Sequence, residues 1–174
     1  AERAWAYYMQ LKVEAKSDRT GNCMKHHSVG RLRKATQHAE AFRALVTAEG
    51  LCDERTALEA AAYAAWIRAT LQQELQQWQP SMEAFSEAKL IYDRLGSACS
   101  AANRALYAER VDEIDANVRY CNFMLGGSDA DLTAFLAATE KLRARGGQTE
   151  ALMQRLEDAR FAHDRNSDAP SLSE

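Results

Sequence analysis

Apolar residues along this chain recur three and four positions apart, and the rhythm breaks at Thr20-Gly21-Asn22, Gly50, Gln79-Pro80, Gly96-Ser97, Gly126-Gly127-Ser128-Asp129 and Gly146-Gly147. Every segment between these marks has helical period and helical length. In the first, Trp5, Tyr8, Met9 and Lys12 share a face; in the second, Leu32, Ala35, Ala39, Phe42 and Val46 form one stripe that Gly50 closes. Asp53 suits the N-cap of a third helix, whose stripe of Leu58, Ala62, Ala65, Ala69 and Leu75 is mostly small. Small faces let helices approach closely. Pro80 suits the first turn of a fourth helix, because its missing N–H is an orphan donor there and its φ is already helical. Gly96 is expected to stop that helix. A long segment from about Ser100 to Leu125 follows, and Asp115 sits where a second N-cap would restart the helix, so a break is expected near Asp115-Ala116. Two further helices are predicted from about Ala130 to Ala144 and from about Thr149 to Arg165. The remainder, 166–174, is polar with Pro170 and three serines, and is expected to be a disordered tail.

Composition supports this reading. Alanine fills 33 positions and leucine 17, whereas valine and isoleucine together fill 8, a pool that favours helices and starves a sheet. The fold class expected is all-α: a tetratricopeptide-like bundle of about six to eight antiparallel helices, forming one helical domain over 1–165. Trp78, Ser81, Phe85 and Ala88 carry the hairpin spacing, in which aromatic positions fill the holes that small ones leave. That spacing occurs once, so a regular repeat array is not expected. Cys23, Cys52, Cys99 and Cys121 stand far apart with no CxxC pair and read as reduced thiols. No run of 18 apolar residues and no basic-then-apolar leader occurs, so a soluble, intracellular protein without a membrane span is expected.

Charge is distributed unevenly. The formal total is −3, yet residues 1–46 hold nine Lys/Arg against four Asp/Glu, +5, which leaves −8 for the rest. Arg19, Lys25, His26, His27, Arg31, Arg33, Lys34, His38 and Arg43 fall in a stretch whose single acid is Glu40. On a helix, Arg31, Lys34 and His38 form one stripe beside the Leu32/Ala35/Ala39 stripe, and His27 extends it. Such a flank can lie against a phosphate backbone while the apolar stripe holds the helix to the body. The competing reading is a solvated face whose cations pack their stems.

Cys23, His26 and His27 have ligand chemistry for zinc, but a second ligand pair is missing, and no metal site is expected. No P-loop, GxSxG, HExxH or GxGxxG pattern occurs, and no catalytic residue or cofactor is expected. Arg119-Tyr120-Cys121 joins a cation to an aromatic, which suits stacking on a base, but packing of Tyr120, Cys121 and Phe123 in the core is the preferred reading.

The chain resembles the RNA-binding domain of the 68 kDa protein subunit of the eukaryotic signal recognition particle. The resemblance runs from Ala1-Glu2-Arg3-Ala4-Trp5 and Met9-Gln10-Leu11-Lys12 through Arg31-Leu32-Arg33-Lys34-Ala35 and His38-Ala39-Glu40. It continues through Glu83-Ala84-Phe85, Ile91-Tyr92, Leu106-Tyr107, Arg110-Val111, Asn117 and Arg119-Tyr120-Cys121 to Gly146-Gly147 and Thr149-Glu150. It implies an all-helical domain that binds signal recognition particle RNA around its three-way junction and reshapes it, without catalysis, in a particle that targets nascent proteins to the endoplasmic reticulum. The implied partners are that RNA, the 72 kDa subunit through a C-terminal region absent from this chain, and other particle proteins; the implied location is cytoplasmic, and nucleolar during particle assembly. The family's principal arginine-rich helix lies upstream of the residues matching Ala1, so the chain is expected to be an N-terminally truncated piece. The family tends to have proline where Ala116 stands. RNA-binding residues are expected at Lys25, His27, Arg31, Arg33, Lys34 and His38, of which Arg31, Arg33 and Lys34 are the positions carried by the resemblance. The alternative is a tetratricopeptide-like protein–protein interaction module.

Overall fold

A computed structural model describes residues 1–17, 21–48, 52–99, 101–143, 151–155 and 158. Among the described residues six helices follow one another: α1 (Glu2–Ser17), α2 (Gly21–Val46), α3 (Glu54–Glu74), α4 (Trp78–Ala98), α5 (Ala101–Met124) and α6 (Asp129–Arg143). A further helical stretch covers 151–155, and no strand occurs among the described residues. The all-α expectation is met. The breaks expected at Gly50 and Gly146-Gly147, Arg19, and the tail 166–174 lie outside the described residues.

α3 is the central element. Its buried residues are Ala57, Leu58, Ala60, Ala61, Ala62, Ala64, Ala65, Ile67 and Ala69, small enough on opposite sides for α2 and α4 to close on it. Toward α1 and α2, Ala64 and Ile67 join Tyr8, Leu32, Ala35 and Ala39. Toward α4 and α5, Ala65 and Ala69 join Phe85, Ala88, Ile114, Val118 and Cys121, with Leu132, Phe135 and Leu136 of α6 against them. A third cluster joins Leu58 and Ala62 to Ile91, Leu95, Tyr107 and Met153. The hairpin spacing read from sequence is realised. Phe85 and Ala88 are buried, Trp78 packs on the cluster, and buried Ser81 donates its hydroxyl to the Ala69 carbonyl at 2.9 Å and faces the Cys121 thiol at 3.5 Å.

The helix boundaries show which punctuation mattered. Asp53 occupies the N-cap of α3, with its carbonyl taking the Ala57 N–H at 3.1 Å and its carboxylate taking the Thr56 hydroxyl. Pro80 lies in the first turn of α4. α6 opens on a capping box, in which the Ser128 N–H donates to the Asp131 carboxylate at 2.8 Å and the Asp131 N–H approaches Ser128 Oγ at 3.3 Å. Gly126 takes φ +74°, a conformation that a side chain disfavours, and turns the chain sharply between α5 and α6.

Two expectations fail. α5 runs unbroken through Asp115-Ala116, because the Asp115 carboxylate, which would have capped a new helix, instead binds Lys89 of α4 at 2.5 Å. Ile114, Val118 and Cys121 meanwhile carry one buried stripe across the site. Gly96 does not stop α4, which continues to Ala98; it is buried where Tyr107 of α5 comes within 3.6 Å of the place a Cβ would occupy. Its smallness serves packing rather than termination.

Candidate nucleic-acid interface

The basic stretch lies on α2. Leu32, Ala35, Ala39 and Val46 bury the inner face of this helix, together with Ser28 and Val29 nearer its start. At about 100° per residue, His27, Arg31, Lys34 and His38 fall on one flank of that face, in the order of two successive turns and more. Lys25, His27, Arg33, Lys34 and His38 are exposed, and Arg31 is half-buried. Phe42, expected in the apolar stripe, continues the outer flank instead and is exposed.

Arg31 is held in place by α1. Its guanidinium lies 4.7 Å from the Tyr7 ring centre, and the His27 ring meets the same tyrosine edge-on at 5.7 Å. Arg31 Nη2 and His27 Nε2 are 3.4 Å apart. The planar cation is thus laid on an aromatic face, which limits its rotamers. Tyr7 was not singled out in the sequence. An aromatic pair at Tyr7-Tyr8 signals one residue in the core and one out of it, but nothing in the spacing says what the outer one touches.

α1 in turn is anchored to α3. Tyr8, buried, donates its hydroxyl to Glu74 Oε1 at 2.8 Å, while Lys12 Nζ binds the same carboxylate oxygen at 2.5 Å and reaches the Tyr8 oxygen at 3.1 Å. Burial pushes the Tyr8 hydroxyl up to about 12. Burial would raise the Glu74 carboxyl too, but the Lys12 and Tyr8 hydrogen bonds outweigh it, and Lys25 is near enough to add to the lowering. Met9, read as part of the inner face of this helix, is exposed; Leu11 takes that place.

Electrostatics keep the flank cationic. Glu40, the single acid of the stretch, turns toward α3, where Arg68 holds it at 3.0 Å, while Arg43 of α2 itself binds it at 2.8 Å. The structure therefore brings together His27 and Arg31 with Tyr7, and sets Lys34 and His38 along the same flank. It does not bring Arg33 there, since two residues from Arg31 is a rotation of about 200°. Lys25 lies near enough to Glu74, at the end of α3, to act on it electrostatically.

Two other surfaces are relevant. The Arg119-Tyr120-Cys121 segment splits: Cys121 is in the core, whereas Tyr120 is 47 % and Phe123 75 % exposed, contrary to the expectation that both rings and the thiol pack inside. Second, a cavity of about 470 Å³ lies between α3 and α5, where Tyr92 and Tyr107 stack at 6.0 Å and Tyr107 is bound to Arg55 and Glu59. No group of three or more His, Cys, Asp or Glu side chains converges among the described residues, and no described helix is long and apolar enough to cross a membrane.

Comparison with known proteins gives this surface a context. The sequence profile described as "RNA-binding signal recognition particle 68" matches residues 1–173. Signal recognition particle subunit SRP68 of Drosophila melanogaster is 39 % identical over 127 residues, covering 73 % of this chain and 20 % of the relative. The same subunit of Caenorhabditis elegans is 31 % identical over 129 residues, 74 % of this chain and 21 % of the relative, and that of Dictyostelium discoideum is 28 % identical over 124, 71 % and 20 %. The matched part spans about a fifth of each relative's length. With a helical body, a cationic flank on α2 and a profile match along almost its whole length, the chain belongs to the RNA-binding signal recognition particle 68 family.

Proposed function

We propose that this domain, residues 1–165, binds signal recognition particle RNA near its three-way junction and reshapes it there without catalysis, as part of the particle that targets nascent proteins to the endoplasmic reticulum. The observation that supports the contact surface is the Arg31 guanidinium laid on Tyr7 beside His27 on the exposed flank of α2. Lys34 and His38 extend the surface along the helix, and Lys25 and Arg33 take phosphates that pass its end and outer side. Cations neutralise closely spaced phosphates and release counterions, while the rigid body keeps them in register with a folded RNA, so RNA shape sets specificity. The net −3 of the chain does not oppose this, because the acids are concentrated elsewhere. The protein acts in the cytoplasm, with a nucleolar phase during assembly, and pairs with the 72 kDa subunit through a region outside this chain.

The test is Arg31→Glu with Lys34→Glu, read as affinity for a labelled signal recognition particle three-way junction across a salt series. Affinity should fall, and the slope of log K against log salt should become shallower by roughly 0.7 to 0.9 per lost phosphate contact, with helicity unchanged. Unchanged affinity and slope would remove these residues from the RNA face. The cavity between α3 and α5 favours a second reading, a protein-interaction module that takes a polypeptide segment across Tyr92 and Tyr107. A protein ligand whose binding is lost on Tyr107→Ala, with no RNA bound by the unaltered chain, would establish it.

A further inference from the structure

The end of α5 carries a surface that the α2 flank does not account for. Gln73, near the end of α3, donates to Asn117 of α5 at 3.3 Å, and Trp78, the first residue of α4, meets Tyr120 edge-on at 5.7 Å. From Asn117 onward the inner side of α5 stays packed, with Val118 and Cys121 in the core and Cys121 against Ser81 of α4, while the outer side of its last two turns is uncovered. On that outer side Arg119 and Phe123 stand one turn apart on one face, and Tyr120 and Met124 on the adjacent one. Phe123 is 75 % exposed, and Tyr120, Met124 and Leu125 each keep more than two-fifths of their surface in water. Four large apolar side chains in six positions are more than scattered surface residues, and their backbone is held firmly. Buried Asn122 donates from Nδ2 to the carbonyls of Gly127 and Ser128 at 3.2 and 3.1 Å, which fixes the end of the helix and the turn after it.

We infer that the Arg119, Tyr120, Phe123 and Met124 face is a stacking platform for unpaired RNA bases, a second point of contact that works beside the cationic flank of α2. The inference rests on RNA being the ligand proposed for that flank. Three observations favour bases over another occupant. The face joins flat aromatic rings to an exposed guanidinium, the pairing that accepts a base on the ring and its phosphate on the cation. The start of the α2 flank lies at the same end of the bundle, because Lys25 is near enough to act on Glu74, which Gln73 and its bond to Asn117 adjoin. The acids flanking it in sequence are engaged elsewhere, Asp115 with Lys89, Glu113 with Arg110 and Asp131 with Ser128. Folded RNA that lies along α2 with its phosphates can therefore place single-stranded nucleotides at the end of α5, which gives a helical scaffold a means of preferring junctions to plain duplex.

The test compares two labelled RNAs of equal length, a continuous duplex and one interrupted by unpaired nucleotides, binding to the whole chain and to Phe123→Ala, Tyr120→Ala/Phe123→Ala and Arg31→Glu/Lys34→Glu. The aromatic variants should lose on the order of tenfold in affinity for the interrupted RNA and less than twofold for the duplex, with an unchanged salt slope because no cation is removed. Phe123→Ala alone keeps the test clear of folding loss, since its side chain is mostly in water. Equal loss on both RNAs, no loss on either, or a concentration-dependent dimer abolished by Phe123→Ala overturns the inference, the last by assigning the face to a second copy of the chain. If the Arg31/Lys34 variant keeps full affinity while the aromatic variants lose theirs, the α2 reading falls and this one stands; if the unaltered chain binds neither RNA, both fall.

Discussion

Tyr8→Phe probes the joint that presents the α2 flank. The substitution keeps a ring that is 1 % exposed and deletes only the hydroxyl, which donates to Glu74 at 2.8 Å and accepts from Lys12 at 3.1 Å. A hydrogen bond to a charged partner contributes ~1.5–3 kcal/mol. The lower end applies here, because Lys12, 44 % exposed, remains bound to Glu74 and water can reach the pair from that side. A loss of about 1.5 kcal/mol is expected at pH 7, roughly 3–6 °C in Tm for a chain of this size. Acid should narrow the difference. Burial raises the Glu74 carboxyl but the Lys12 and Tyr8 bonds bring it below its ordinary 4.5. A depressed folded value contributes stability that is full above the unfolded value and is lost as pH falls through the folded one. Without the hydroxyl the depression is smaller, so the wild-type advantage shrinks once the pH drops below about 4.5. The assay is urea unfolding followed by circular dichroism at pH 7 and pH 3.5, with Glu74→Ala as the second arm of a double-mutant cycle. A Tyr8→Phe cost below about 0.5 kcal/mol at pH 7, or one of the same size in the Glu74→Ala background, would refute the reasoning.

Other substitutions have equally definite outcomes. Gly127→Ala places a Cβ on the Asn122 side-chain oxygen and should expel that amide from its two carbonyl partners, costing about 2 kcal/mol in chemical denaturation, and much less in an Asn122→Ala background. Gln76 closes α3 at φ +60° in a Schellman arrangement, with Gln77 N–H to the Gln72 carbonyl at 2.9 Å and Gln76 N–H to that of Gln73 at 3.0 Å, so Gln76→Gly should raise stability by about 0.5–1 kcal/mol. Tyr7→Ala should weaken RNA binding severalfold, and Tyr7→Phe should retain it, because the ring and not the hydroxyl supports Arg31; equal losses would show that the hydroxyl matters.

Much of this organisation is legible in the sequence where a single residue has a single use. Asp53, Pro80 and the Gly126-Gly127 turn mark their boundaries because capping, a preset φ and a positive φ are local properties. Asp115 and Gly96 mislead because each has two uses, and the neighbouring helix decides between them: Lys89 takes the carboxylate, and Tyr107 takes the space above the glycine. Met9, Phe42 and Phe123 show the same limit on the apolar stripes. Spacing of three and four gives the direction of a face, but its width depends on which neighbours close over the margins, and none covers these three. For the candidate site, the residue types and the flank were readable at Arg31, Lys34 and His38. The aromatic seat at Tyr7 was not, since it depends on how α1 crosses α2.

The described helices of this domain pack chiefly on their neighbours in the chain, with lighter contacts two places on between α1 and α3, α3 and α5, and α4 and α6. Cooperativity in such an arrangement is passed along in steps, so the α1–α2 end can open while the Phe85 and Ile114 core around α4 stays closed. A ligand seated on Tyr7, His27 and Arg31 would bridge those two helices and suppress that opening. Its signature would be slowed amide exchange in α1 and α2 with little change in α4, so the RNA would serve the bundle as a missing terminal cap.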